Sequence, residues 1–406
     1  MSFQQGLSGL NAAARNLEVI GNNVANASTI GFKGSRAQFA DVYANTLGIP
    51  ANTPVGIGTT VASVAQQFTQ GNLSATSNPL DLAINGEGFF RVSSNGTIAY
   101  TRNGQFQLDK DGYIVTSAGA RLTGYAADPL GNISPGAPGD LKIERGDLAP
   151  QLTTEALVNM NLDARKGPIT AAFDATDPTT YHGATSMSVY DSQGGEHALA
   201  LYFVKTAANT WSVYAQADGT AVGAGPVGTL AYNDDGTLDA TASAVPFSLS
   251  IALTSGAATP LAFDLDFTGS TQFGAATTVN EITQDGYTSG KITGFSVGPD
   301  GVILGRYSNG KTLAQGQVAL SSFVNPQGLT PLGGNLWAET SGSGQPLIGA
   351  PGSGSLGGIQ GGALEESNVD LTQELVNMIT AQRVYQANAQ TIKTQDSVMQ
   401  TLVNLR

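Results

Sequence analysis

No cysteine occurs in this chain of 406 residues, so disulfides, thiolate metal sites and cysteine nucleophiles are all excluded. Charge is scarce too: Asp, Glu, Lys and Arg make up 12% of the residues, about half the usual share. His182 and His197 are the only histidines, so any imidazole chemistry must use one of them. No stretch approaches the roughly 18 consecutive apolar residues of a membrane-spanning helix, so membrane insertion is not expected. Nor does a basic region followed by an apolar run open the chain. The expectation is a cytosolic protein, or one exported by a route that cleaves no leader.

What is present is an ordinary apolar content of 41%, enough for real cores, together with 52 glycines. The length allows two or three domains. Abundant Gly, Thr, Ser and Asn fit β structure with many turns. Acidity is concentrated: residues 148–285 carry 14 Asp and Glu against 3 Lys and Arg, while the remainder is nearly balanced. An acidic, solvated module set into a near-neutral frame argues against nucleic acid as a partner.

Both ends read as helices. Phe3, Leu7, Leu10, Ala14, Leu17, Gly21 and Val24 step 4, 3, 4, 3, 4, 3 along the first. Leu371, Leu375, Met378, Gln382, Tyr385, Ala389 and Ile392 repeat those steps along the last. Each spacing gives one narrow stripe that needs a partner helix. The two stripes can serve each other, or the same stripes in neighbouring copies. Ser2 with Gln5 forms a capping-box pattern at the start, and 367–370 (Ser-Asn-Val-Asp) offers an N-cap for the last helix.

Between the helices the period falls to two. Residues 31–70 read as an extended connector with little core of its own. Asn103-Gly104 and Asp111-Gly112 mark hairpin turns between short strands. The fold class expected is mainly β with terminal α-helices forming a coiled coil, plus two nested β domains of barrel or sandwich type. The divisions are 1–30 with 367–406 (helical), 31–70 (connector), 71–147 with 286–366 (inner β) and 148–285 (inserted outer β). The connector and the Gly-rich run 341–362 read as compliant links.

Patterns that resemble catalytic motifs read better as structure. Gly305 to Thr312 satisfies GxxxxGK[ST], but a phosphate loop needs a helix after it. Here Gly316 and β alternation follow, so Asn309-Gly310 reads as a hairpin turn. Gly352, Gly354 and Gly357 match GxGxxG inside a Gly/Ser run without a strand–helix frame, a loop. Asp109 to Gly112 starts like a calcium loop, but Ala118 stands where the bidentate Glu would be needed. His197 with Ser186 and Asp191 could be imagined as a triad, and Asp264 with Asp266 as a carboxylate pair; a solvated acidic face suits the pair better. No cofactor, metal or catalytic residue is expected.

The helical ends carry a more specific signal. Asn16, Ile20, Asn22, Asn23, Asn26, Gly31, Phe32 and Lys33, then Leu364 to Asp370 with Ser367, Asn368 and Val369, resemble the terminal motifs of the bacterial flagellar rod and hook family. Asp81 to Phe90, Tyr100 to Gly104 and Phe323 to Leu329 resemble its shared β core, and Lys33 to Tyr43 resembles the hook version of its connector. The resemblance implies a self-assembling tube whose polymerisation seam would be Phe3, Leu7, Leu10, Leu17, Val24, Leu371, Leu375, Met378, Tyr385 and Ile392. It also implies an extracellular place in the flagellum, rod and hook–filament junction proteins as neighbours, a hook cap, and a flagellar export apparatus. The alternatives are a secreted β-rich adhesin or hydrolase with coiled-coil ends, or a rod protein.

Overall fold

The computed structural model describes residues 2–42, 56–94, 96–134 and 136–404. It divides into two compact units. One comprises 1–145, 294–306 and 312–406; the other comprises 146–293 and 307–311. Helix α1 is Ser2–Ala25, α2 the short Ala240–Ser243, and α3 Leu371–Asn404. The Ser2 side chain, and with it the capping box, lies outside the described residues. Asp370 caps α3, its carboxylate accepting the amide N–H groups of Thr372 and Gln373.

In the first unit, β-strands Val302–Tyr307, Thr312–Val318, Arg121–Ala126, Phe89–Ser94, Thr97–Thr101 and Leu336–Ala338 lie side by side in that order. Their core is aromatic. Phe89, Tyr100, Phe323 and Trp337 are buried with Phe68 packed against them, and the rings meet edge to face at 4.8–5.9 Å.

The extended connector at 31–70 is partly paired: Ser35–Val42 and Gly58–Gln66 form an antiparallel hairpin with a register shift at Gln38/Phe39, packed on α1, with only Ala37 of the two strands buried. The rest of the connector, 43–55, lies outside the described residues. The Gly-rich run 341–362 contains two paired segments. Leu347–Gly349 pairs with Leu320–Ser322, and Gly358–Gly361 pairs with Leu82–Asn85.

The turns divide. Asp109 to Gly112 closes a hairpin, with Gly112 at φ 88° and the Asp109 carboxylate accepting from Asp111 and Tyr113 N–H. Gly310, at φ 80°, closes the next one, and a strand follows it, so no phosphate loop exists. Asn103-Gly104 is not a hairpin turn. Gly104 is required because its backbone lies on Leu82: a Cβ there would sit 1.6 Å from the Leu82 carbonyl oxygen.

The second unit is a sandwich of two open five-stranded sheets; among the described residues no sheet closes into a barrel. Glu155–Asp163 runs parallel to Leu261–Asp266 and antiparallel to Thr278–Gln284. The facing sheet is Gly183–Tyr190, Glu196–Ala207 and Thr210–Ala217, all antiparallel, with Thr220–Ala221 and Gly228–Ala231. Alternate residues of both sheets fill the core, among them Val158, Met160, Leu201, Phe203, Trp211 and Phe263.

Candidate functional site: the helix pair and its anchor

α1 and α3 pack together, but not along the expected stripes. Gly6, Gly9 and Asn23 of α1 meet Ile392, Asn388 and Glu374 of α3, and Ala13, Asn16, Ile20, Asn377, Ala381 and Val384 line the groove between the helices. A Cβ at Gly9 would lie 2.6 Å from Asn388 Oδ1, and one at Gly6 would lie 3.1 Å from Ile392 Cγ1. Asn23 Nδ2 donates to Glu374 Oε1 at 3.5 Å. On each helix the row facing the groove lies one residue N-terminal to the apolar stripe, a rotation of about 100°, although Ile392, the last stripe residue, reaches Gly6.

The stripes therefore face largely away from the partner helix. Phe3, Leu7, Leu371 and Leu375 are 52%, 45%, 47% and 44% exposed. Leu10, Leu17, Val24, Met378 and Ile392 are half-buried, and Tyr385 is at the exposed margin. The small contact seam was missed because Gly, Ala and Asn carry little hydropathy; its signal was the same 3, 4, 3, 4, 3 spacing, at positions 6, 9, 13, 16, 20 and 23. Between α1, the hairpin and α3 runs an open groove of about 970 Å³, lined by Ala12, Ala13, Ile20, Ala37, Ala381 and Val384 among others.

The motif residues build the anchor beneath this pair. Asn23 acts as a peptide mimic: its Nδ2 donates to Ser35 O, and its Oδ1 accepts from Ser35 N, both at 2.8 Å. Asn22 and Asn26 close the end of α1, Asn26 donating to the Asn22 carbonyl from both N and Nδ2. Gly31, at φ 69°, is pressed against the backbone of Arg102 and Asn103, where a Cβ would meet atoms at 2.6–2.8 Å. The half-buried Phe32 donates its N–H to Thr29 O.

Lys33 and Glu365 form the centre. Lys33 Nζ lies 2.6 Å from Glu365 Oε1 and donates to Thr69 O at 2.8 Å. Glu365 Oε1 also accepts from Gly71 N, and its Oε2 accepts from Arg102 Nη1 at 3.1 Å. Arg102 donates onward to Gly86 O and lies over the Phe89 ring. Burial pulls the Lys33 ammonium below its ordinary pKa while the Glu365 carboxylate opposes it; burial likewise lowers Arg102. On the other strand of the junction, Asn368 Oδ1 accepts from Gly34 N, and its Nδ2 donates to Gln67 O and Thr69 O. Ser367 Oγ accepts from Val369 N, and Val369 would touch a Cβ placed on Gly34. One cluster thus fixes the root of both helices to the β-sheet. The sequence showed Arg102 and Glu365 only as motif letters; their role needed coordinates, because 263 residues separate them.

The imagined catalytic sets are otherwise occupied. His197 lies between Asp191 and Asp218 and makes no bond to Ser186. Asp264 accepts from Ser248 Oγ on an exposed strand face. Among the described residues no group of His, Cys, Asp or Glu is arranged to hold a metal ion, and no helix is long and apolar enough to cross a membrane.

Known proteins match along the whole chain. Family models match in four places: Flagella basal body rod protein at 3–33, Flagellar hook protein FlgE/F/G D1 domain at 83–161, Flagellar basal body protein FlaE D2 domain at 161–287, and Flagellar basal body rod FlgEFG protein C-terminal at 360–405. The flagellar hook protein FlgE of Escherichia coli K12 is 44% identical over 416 residues, covering all of both chains. That of Salmonella typhimurium is 43% identical over 414 residues, again covering all of both. The same protein of Borreliella burgdorferi is 33% identical, covering all of this chain and 99% of its own. The crystal structure of Helicobacter pylori flagellar hook protein FlgE2 superposes with a TM-score of 0.54 at 15% identity, covering 71% of this chain and 99% of that one, and so shares the fold. With full-length identity of this order, the chain belongs to the flagellar hook protein family and is a structural subunit of the hook.

Proposed function

We propose that this subunit polymerises through the outward apolar stripes of its helix pair, forming a curved tube that transmits torque from the rod to the filament. The supporting observation is the division of labour on α1 and α3. Small residues are used within the chain, and Phe3, Leu7, Leu371 and Leu375 are left 44–52% exposed. Such stripes on adjacent copies can bury one another, each large side chain contributing about 1.5–3 kcal/mol when fully covered. In this reading the helix pair (1–30 with 367–406) forms the inner tube. The inner β region (71–147 with 286–366) surrounds it, and the inserted 148–285 lies outermost. Rod, hook–filament junction and cap proteins are its neighbours, and the flagellar export apparatus delivers it without cleavage.

No catalytic role is proposed, since its relatives carry the name of a structural protein and each candidate constellation is spent on internal bonds. A rod protein or a secreted adhesin is not favoured, because the full-length relatives are hook proteins. The test is sedimentation of assembled polymer. Leu375→Asp puts a charge on the stripe, where desolvation on assembly costs several kcal/mol, and should leave the chain in the supernatant. Pelleting equal to the parent chain would rule the stripe out.

A further inference from the structure

Both ring nitrogens of His197 meet carboxylates. Nδ1 is 2.6 Å from Asp218 Oδ2, and Nε2 is 3.3 Å from Asp191 Oδ2. The three residues come from different places in the sandwich unit. Asp191 follows the strand Gly183–Tyr190, His197 lies near the start of Glu196–Ala207, and Asp218 stands in the turn after Thr210–Ala217 at φ 50°. Asp191 is itself a hub. Its Oδ1 accepts from the N–H groups of Gln193 and Gly195, and its Oδ2 accepts from Ser255 Oγ. Ser255 belongs to the loop 252–260, which is tied to the same turn by Gln193 Nε2 to Gly256 O and by Ala258 N to Ser192 Oγ. The imidazole therefore sits where three connections converge.

An imidazole can donate to two carboxylates only when both nitrogens carry protons. A neutral ring has one N–H, and its second nitrogen then faces an acceptor with an acceptor. Asp218 is the closer partner and would keep the proton. Asp191 retains its amide and hydroxyl donors but loses the link to the ring. The other charged group here is Glu196, the neighbour of His197, which is engaged with Ser188 Oγ. The loop 252–260 contains no titratable side chain.

We propose that His197 is a pH-operated clasp: protonated, it ties the 191–195 turn to the 218–219 turn, and deprotonated, it releases Asp191 and loosens the 191–195 turn, while the 252–260 loop keeps its own bonds to that turn. The direction agrees with the electrostatics. Asp218 first, then Asp191, raise His197 above its ordinary pKa against the opposing effect of burial. Asp218 is lowered in return, chiefly by His197; burial acts to raise Asp191, but its amide donors and His197 outweigh this. A group raised on folding contributes fully below its unfolded pKa of about 6.5, and the contribution is lost as pH climbs through the folded value. His182 is the internal control. Its Nδ1 accepts from Lys205 N, and burial lowers its pKa, the opposite direction to His197.

The test is made on the full-length monomer from pH 5 to 9. Imidazole NMR should give His197 a midpoint above about 6.5, with both nitrogens protonated below it. Amide exchange at Gln193 and Gly195, whose N–H groups bond Asp191, corrected for intrinsic base catalysis, should accelerate through that midpoint by about tenfold for each pH unit by which losing Asp191 lowers the ring's midpoint. His197→Gln should remove the acceleration, and His182→Gln should keep it. A midpoint at or below the ordinary value, exchange that ignores the titration, or an acceleration that survives His197→Gln would each overturn the clasp. Should His197→Gln not fold, the midpoint and exchange of the parent chain decide alone.

Discussion

Lys33 Nζ and Glu365 Oε1 stand 2.6 Å apart, joined across 332 residues of chain, with neither side chain reached by solvent. Two cations, Lys33 and Arg102, share this one carboxylate. Removing it leaves both charges buried and uncompensated. Glu365→Gln should destabilise the helix-bearing unit by about 3–5 kcal/mol. The chain has two tryptophans, Trp337 in that unit and Trp211 in the other, so denaturation followed by fluorescence in a Trp211→Phe background isolates the effect. A midpoint shift below the error of the measurement would show that the cluster is not the anchor.

Asn368 should behave as a lesser version of the same joint. Its amide spans Gly34 N and the carbonyls of Gln67 and Thr69. Asn368→Ala removes the partner of Gly34 N and Gln67 O, at about 1–3 kcal/mol, while Thr69 O keeps Lys33 Nζ. Urea denaturation read through Trp337 checks this. Asn368→Asp should be no milder, because a carboxylate cannot donate to those carbonyls.

The small seam and the apolar stripe make opposite predictions for the isolated subunit. Gly9→Leu drives a side chain into Asn388 and should lower monomer stability by about 1–3 kcal/mol through overpacking. Leu7→Asp, two residues away on the exposed stripe, should change monomer stability by no more than about 0.5 kcal/mol. Thermal melts followed by far-UV circular dichroism separate the two; a reversed order would mean that the helices pair through the large residues.

The sandwich unit should be removable. Leu148 and Gly290 exchange backbone hydrogen bonds at 2.7 and 3.2 Å, so the entering and leaving strands already lie side by side. Replacing 149–289 with a short Gly-Ser turn should leave a chain that still folds around Trp337, judged by fluorescence and limited proteolysis. Loss of the Trp337 unfolding transition would show that the two units need each other.

Helical ends around nested β structure were legible from hydrophobic period and turn chemistry. The helix contact was not, and Leu7 and Gly6 show why. Period locates the residues that avoid water, and the eye follows the large ones. Close approach of two backbones selects small residues, which hydropathy hardly registers. The same blindness hid the Ser35–Gln66 hairpin: it lies on the Gly/Ala side of α1, so only Ala37 among its strand residues is buried and no apolar alternation forms. Asn103-Gly104 carried a turn signal, but the glycine is there for contact with Leu82. The Lys33–Glu365–Arg102 anchor is non-local, and spacing along the chain holds no trace of it.

The central claim is that the outward stripes close between copies. Its most direct test is electron cryomicroscopy of tubes assembled from the purified chain, at a resolution that shows side chains. The account predicts that Phe3, Leu7, Leu371 and Leu375, 44–52% exposed in the single subunit, become buried against helices of neighbouring subunits, while Gly9 still faces Asn388 of its own chain. Tubes in which all four side chains remain in water, or in which Gly9 has left Asn388, would contradict it.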